Sequence, residues 1–149
     1  MLPIFLSLDE VIEIHRDMIT RYSGGAGIRD MGLLQSAVAM PQATLGGQFL
    51  HADLYEMGAA YLFHIVQNHP FVDGNKRVGA MATFTFLKLN GLTLRSPETE
   101  FEKVVLAVAR VKLGKAAVAE FLRKHAPRYR PPWGLRSSPG SSACRAQET

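Results

Sequence analysis

The chain has few of the features that would place it in an oxidising compartment or a membrane. Cys144 is the single cysteine in 149 residues, so no internal disulfide can form, which fits a reducing compartment. No apolar run reaches the roughly 18 residues that a membrane span needs. Residues 1–5 contain no basic segment or cleavage site of a secretory signal. We therefore expect a cytoplasmic protein with no membrane partner.

Positive charge is scarce over most of the sequence, although the formal net charge is +4. Residues 123–149 hold six Arg and Lys against one Glu, whereas residues 1–122 hold 11 basic and 12 acidic residues. A nucleic-acid-binding protein normally carries its positive charge on a folded face. The nearly neutral body therefore argues against direct binding of nucleic acid.

Strand signals are sparse, and most of the sequence has the pattern of helices. Caps and apolar spacing predict six helices over about 7–22, 30–40, 52–68, 74–89, 97–113 and 116–125. The helix over 74–89 is apolar on most sides, so we expect it at the centre of the core. Residues 41–50 suit a turn or short hairpin, and the other strand candidates are the chain start and residues 92–94.

Length and composition predict one domain. The chain is 47% hydrophobic, which is ordinary for a globular protein of this size. We predict an all-α domain over residues 1–126. Residues 127–149 are rich in Pro, Gly, Ser and Arg and have no periodicity, so we predict a disordered basic tail.

The segment His69–Arg77 places five polar or ionisable side chains at the junction of the two most apolar helices. Lys76 and Arg77 lie in the first turn of the predicted helix over 74–89, where the helix dipole is already positive, so both cost stability there. Gly74 lets backbone N–H groups approach a ligand closely. A nucleotide phosphate would turn this repulsion into a binding site, so these residues are candidates for nucleotide binding.

The other side chains of this segment suit phosphate transfer. His69 can accept the proton of an attacking hydroxyl, and Asp73 is an oxygen ligand suited to Mg²⁺ together with substrate phosphates. Asn75 can donate to a phosphate oxygen or orient the loop, and Phe71 is expected to be the buried anchor. Together they indicate a base, a metal ligand and a phosphate cradle.

Each residue also has a plainer interpretation. Asp73 could cap the following helix, and His69 could bond a backbone carbonyl in a turn. A zinc site of His64, His69 and Asp73 can be imagined, although its spacing matches no known zinc motif. His15 and His51 are expected on helix surfaces or at helix caps.

The segment matches, at every fixed position, the signature His-x-Phe-x-Asp/Glu-Gly/Ala-Asn-x-Arg of the Fic/Doc superfamily, which the sequence resembles. Residues 27–34 and 54–91 resemble its death-on-curing (Doc) branch. The resemblance covers most of residues 5–125. It implies a compact helical bundle in which the motif loop heads a central helix beside a short hairpin flap, for which residues 41–50 are the candidate.

The resemblance also implies a chemistry. Fic enzymes transfer AMP from ATP to a hydroxyl of a target protein; the histidine is the base, the acid binds Mg²⁺, and the backbone and Asn hold phosphates. These roles carry over to His69, Asp73, Gly74 and Asn75.

Two positions depart from the Fic pattern. Lys76 stands where Fic proteins have glycine, and Ala80 stands where they have a second arginine. The lysine fills space that glycine leaves for a phosphate, and the missing arginine removes a contact to the terminal phosphate. Doc toxins share both changes and resemble kinases. These toxins pass the γ-phosphate of ATP to a threonine of elongation factor Tu and thereby stop translation.

The resemblance further implies an antitoxin partner, which masks a Doc toxin by laying a helix in a groove. Fic proteins that restrain themselves carry Ser/Thr-x-x-x-Glu-Gly/Asn, and the segment Ser96–Glu100 does not fit because Phe101 follows it. We therefore expect a Doc-like toxin of a toxin–antitoxin system with protein kinase activity. A Fic-type AMP transferase and a non-catalytic binding module are the alternatives.

Overall fold

The computed structural model describes residues 2–128, which form six α-helices and one β-hairpin. The helices are α1 (Leu8–Tyr22), α2 (Met31–Ala39), α3 (Leu54–Asn68), α4 (Asn75–Leu89), α5 (Glu98–Ala109) and α6 (Lys115–His125). The strands are β1 (Thr44–Leu45) and β2 (Gln48–Phe49). The predicted all-α class is confirmed. Nearly all of the predicted tail lies outside the described residues, so the domain boundary stays a prediction.

The central helices α3 and α4 lie close together because glycine stands where they meet. A Cβ added to Gly79 would lie 2.9 Å from Val66 Cγ2. The Thr83 hydroxyl, fully buried, donates to the Gly58 carbonyl across the helix pair and to its own helix. Apolar side chains of both helices are buried around this contact: Tyr61, Leu62, Ile65, Val78, Ala82 and Phe86. This pair forms the core on which the other helices pack.

Helix caps set several of the predicted boundaries. Ser7 and Glu10 form a capping box at the start of α1. Asp30 begins α2 by accepting from the N–H of Leu33 (2.9 Å). Asp53 begins α3 in the same way. Among residues 2–128, none of the helices is both long enough and apolar enough to cross a bilayer.

The hairpin forms where the sequence predicts one, with Thr44 opposite Phe49. Its position differs from the expected flap beside the motif loop. Phe49 packs on Phe5, which stacks on Phe86, eleven residues beyond the start of α4. At 1.5 Å per residue this is about 16 Å along the helix. The hairpin therefore lies near the far end of α4 from the motif loop.

Two local predictions are wrong. The helix predicted over 97–113 stops at Ala109, before the exposed Val111, whose φ is 58°. The chain start and residues 92–94 form no strand within the described part of the chain. The side chain of Asn90 binds both backbone groups of Ile4 and so replaces ladder pairing.

Candidate active site at the head of α4

A segment from the loop before α2 holds the motif loop in place. Ile28 and Phe71 form an antiparallel bridge. The Arg29 side chain donates to the carbonyls of His69 (2.7 Å) and Asn68 (3.0 Å). A cation therefore stands at the negative end of the α3 dipole, and it fixes where the chain leaves that helix.

His69, the predicted base, follows the last residue of α3 in a left-handed conformation (φ 52°, ψ 52°). Its imidazole is exposed and lines a cleft. Within residues 2–128 the ring nitrogens make no hydrogen bond, so the alternative of a ring tied to a turn carbonyl is not observed. An imidazole in this state can accept a proton from a hydroxyl that enters the cleft.

The side chain of Asn75 orients the loop, one of its two predicted roles. Its Oδ1 accepts from the N–H of Phe71 (2.9 Å), and its Nδ2 donates to the carbonyl of Phe71 (3.0 Å). Phe71 is fully buried and is the anchor that the sequence predicts. The Asn75 backbone N–H lies in the first turn of α4, where a phosphate could accept from it. That contact stays a prediction.

The first turn of α4 carries positive charge and has no side-chain cap within the described part of the chain. Its N-cap is Gly74 (φ 83°), and no side chain within residues 2–128 caps it. The turn holds no acidic residue, and Lys76 and Arg77 add positive charge to the positive end of the dipole. The Arg77 guanidinium lies 4.5 Å from the centre of the Tyr22 ring, which holds it at the cleft.

Asp73 does not cap α4. Its Oδ1 accepts from the adjacent Gly74 N–H (2.8 Å), and its Oδ2 accepts from the N–H of Gly25 (3.3 Å). These two hydrogen bonds, first that of Gly74, lower the pKa of Asp73, and the nearby Arg77 and Lys76 lower it further. The carboxylate is thus charged and exposed at the cleft.

His15 is part of this site, contrary to the expectation of a helix surface. It is buried, and its ring stacks on Phe71 with the centroids 4.0 Å apart. Its Nε2 lies 3.0 Å from the Asp73 carbonyl oxygen. His51 is also buried rather than exposed, and its Nε2 lies 3.3 Å from Lys115 Nζ.

One cleft of about 940 Å³ brings together all six of the predicted site residues: His69, Asp73, Gly74, Asn75, Lys76 and Arg77. Ala80 lines it too, one turn along α4. Residues of α5 line it as well, among them Glu98 and Glu102, together with apolar side chains of both helices. Cations from α4 and carboxylates from α5 therefore line the same cleft.

The donor set fits magnesium better than zinc. Within residues 2–128 no three His, Cys, Asp or Glu side chains are grouped to hold a metal. His64 of the imagined zinc site lies elsewhere, with its Nε2 3.1 Å from Lys115 Nζ. One carboxylate beside an anion cradle suits Mg²⁺, which keeps waters and shares substrate phosphates. Asp73 is the residue that would hold it.

A sequence model of the Fic/DOC family matches residues 5–87, more than half of the chain. The chain belongs to the Fic/Doc family. Protein kinase doc of Escherichia phage P1 is 31% identical over 120 residues, which cover 80% of this chain and 93% of that protein. Toxin Doc of Mycolicibacterium smegmatis is 45% identical over 73 residues, which cover 49% of this chain and 56% of that protein. These relatives place the chain in the Doc branch of the Fic/Doc family.

The Fic/Doc motif therefore predicted the residues that gather at the cleft, whereas their supports were missed. Gly24 and Gly25 lie in the loop that follows α1, and a Cβ on Gly24 would lie 2.7 Å from Asp73 Oδ2. Only the docking of α1 and its loop brings them to the motif. The contact of His15 with the motif loop could not be predicted, because the sequence shows only a histidine on a helix.

Proposed function

We propose that this Fic/Doc protein is a Doc-like toxin, which transfers the γ-phosphate of ATP to a Ser or Thr hydroxyl of a target protein. The observation that carries this proposal is that Lys76 and Ala80 line the same cleft as His69 and Asp73. The names of the two relatives, a toxin and a protein kinase, agree with it.

The proposed chemistry is an in-line transfer. The His69 imidazole takes the proton of the target hydroxyl, and the hydroxyl oxygen forms a bond to the γ-phosphorus. The bond from that phosphorus to the β–γ bridging oxygen breaks, and ADP leaves. The α4 amides and the Lys76 and Arg77 side chains stabilise the phosphate oxygens. Mg²⁺ held by Asp73 would neutralise charge on the phosphates.

Lys76 and Ala80 favour phosphate transfer over AMP transfer. Lys76 puts a flexible side chain beside the uncapped amides of the first turn, where a smaller residue would leave room for another phosphate. Ala80 has no charge to bind a terminal phosphate further along the cleft. A nucleotide would then present its γ-phosphorus, rather than its α-phosphorus, to His69.

We further propose elongation factor Tu as the target and a cognate antitoxin as the partner. Both come from the resemblance to Doc toxins. Transfer to elongation factor Tu would block translation, and the antitoxin would restrain the enzyme in the cell.

The test uses ATP labelled at either the α or the γ phosphate, with Mg²⁺ and a bacterial extract. We expect protein to be labelled from the γ position alone. We expect no label with His69→Asn, because asparagine tolerates the left-handed backbone but has no basic ring nitrogen. Equal melting temperatures of the two proteins would show that the variant is folded.

Label that reaches protein from the α position alone would contradict the kinase and indicate AMP transfer. Lys76→Gly then tests the role of the lysine. If the wild type and Lys76→Gly transfer AMP equally well, Lys76 does not select the reaction. If His69→Asn transfers label as well as the wild type, His69 is not the base. If neither protein transfers label from either position, a non-catalytic binding module is indicated.

A further inference from the structure

His15 belongs to α1, far in sequence from the motif, yet it contacts the loop at its turning point. The ring is 4% exposed. It stacks nearly parallel to Phe71, with an angle of 6° between the rings. A carbonyl oxygen can only accept, so Nε2 of His15 carries the hydrogen and donates to the Asp73 carbonyl at 3.0 Å.

This hydrogen bond fixes a whole peptide unit. The Asp73 carbonyl and the Gly74 N–H belong to one planar trans peptide and point in opposite directions. When His15 holds the carbonyl, the N–H is turned away from α1. There it donates to Oδ1 of the Asp73 carboxylate at 2.8 Å.

The space around Gly74 depends on the same ring. A Cβ on Gly74 would lie 3.8 Å from Cδ2 and 4.0 Å from Nε2 of His15, so the ring lies directly against this turn. Gly74 has a positive φ of 83°, and a glycine peptide in this region can rotate at little cost. The turn thus needs an external contact to hold one orientation.

We infer that His15 is a positioning residue that sets the direction of the Asp73 carboxylate by holding the Asp73–Gly74 peptide. The inference rests on the proposed function for its catalytic consequence. The inference gives α1, which lies outside the nine-residue motif, a part in the proposed magnesium and phosphate site.

Two substitutions separate the hydrogen bond from the packing. His15→Phe keeps the stacked ring and removes the donor, whereas His15→Gln keeps an N–H donor and removes the ring. We expect the Mg²⁺ concentration for half-maximal phosphate transfer to rise about 10-fold or more in His15→Phe, as for other groups that orient a metal ligand. His15→Gln should stay nearer the wild type.

A second measurement reports the orientation of the Asp73–Gly74 peptide directly, in the protein without nucleotide or metal. The Gly74 amide resonance in a ¹⁵N NMR spectrum should shift and exchange faster with solvent in His15→Phe, and remain close to the wild type in His15→Gln. His15→Met, which also lacks a donor and fits irregular space, replaces His15→Phe if that variant does not fold.

The two proposals fail separately. If the wild type transfers no phosphate, the proposed function is wrong, and the NMR comparison still decides whether His15 holds the peptide. If His15→Gln is no better than His15→Phe in the NMR measurement or in the Mg²⁺ requirement, the inference about His15 is overturned.

Discussion

Asp73 lies between the backbone amides of Gly74 and Gly25, and both amides donate to its carboxylate. Gly24, beside this contact, has a φ of 137° and leaves no room for a side chain. The position of one carboxylate therefore depends on a loop that is about 50 residues away in sequence, and a small change there should reach the site.

We predict that Gly24→Ala lowers phosphate transfer at least about 10-fold, because its methyl group would displace the Asp73 carboxylate. Gly91→Ala is the matched control, since Gly91 also has a positive φ but no atom within 4 Å of a Cβ. The control should lose about 1 kcal/mol of stability and keep its activity. Initial rates and urea denaturation measure the two effects, and equal activity losses would contradict the prediction.

At the residue scale the sequence predicts which side chains gather at the cleft better than it predicts the residues that hold them. The spacing within His69–Arg77 is enough to predict this cluster, because neighbours on one loop and one helix turn must lie together. His15 could not be identified, because its role depends on the angle at which α1 meets the motif loop. The sequence predicts His15 on a helix surface or at a helix cap, and no local pattern indicates its contact with a particular carbonyl.

Lys115 joins two elements, since it lies at the start of α6 and contacts His64 of α3. Its Nζ is 3.1 Å from His64 Nε2 and 3.3 Å from His51 Nε2. An ammonium only donates, so both imidazoles accept and are neutral. Burial first, and then Lys115, lower the pKa of His64 to about 4. The same two causes lower the pKa of His51, while Glu56 opposes them.

This cluster predicts a loss of stability in acid. An unfolded His64 binds a proton below pH 6.5, whereas the folded one does so only near pH 4. Protonation of His64 therefore costs no stability above pH 6.5, and the free energy of unfolding decreases as the pH falls from 6.5 towards 4. Because the His64 side chain is only partly buried, solvent screens part of this effect, and we expect the free energy of unfolding to drop by about 1 kcal/mol between pH 7 and pH 5.

His64→Gln provides the control, because glutamine can accept from Lys115 and does not titrate. Urea denaturation at the two pH values should show a smaller drop for His64→Gln than for the wild type. The same drop in both proteins would show that this histidine does not cause the acid sensitivity.

At the scale of elements, the helix starts can be predicted from local sequence, whereas the position of the hairpin on the helices cannot. Capping side chains such as Ser7, Asp30 and Asp53 act within their own turn, so the sequence predicts those helix starts. The hairpin is held near the far end of α4 by Phe49 and Phe5. No local pattern indicates that contact.

Across the whole molecule, the contacts of the folded domain reach the end of α6. The Tyr55 hydroxyl donates to the Ala126 carbonyl (2.7 Å), and the Arg95 N–H donates to the His125 carbonyl (2.7 Å). Composition predicts that the basic tail contributes little beyond this point.

We predict that a chain ending at Arg128 has the melting temperature of the full chain and the same rate of phosphate transfer. Calorimetric melting and the labelled-ATP assay test this. A lower melting temperature would place the domain boundary later in the sequence, and a lower rate with unchanged melting would give the tail a role in binding the target.

The motif loop is completed by partners that lie 40 to 58 residues earlier, at Arg29, Gly25 and His15. A nascent chain that has left the ribosome only as far as α3 has the supports without the loop, and a fragment that begins after Arg29 has the loop without its supports. We therefore expect that neither piece assembles the site. In a cell the site would form only once the motif loop has been synthesised and the first helix has docked against it.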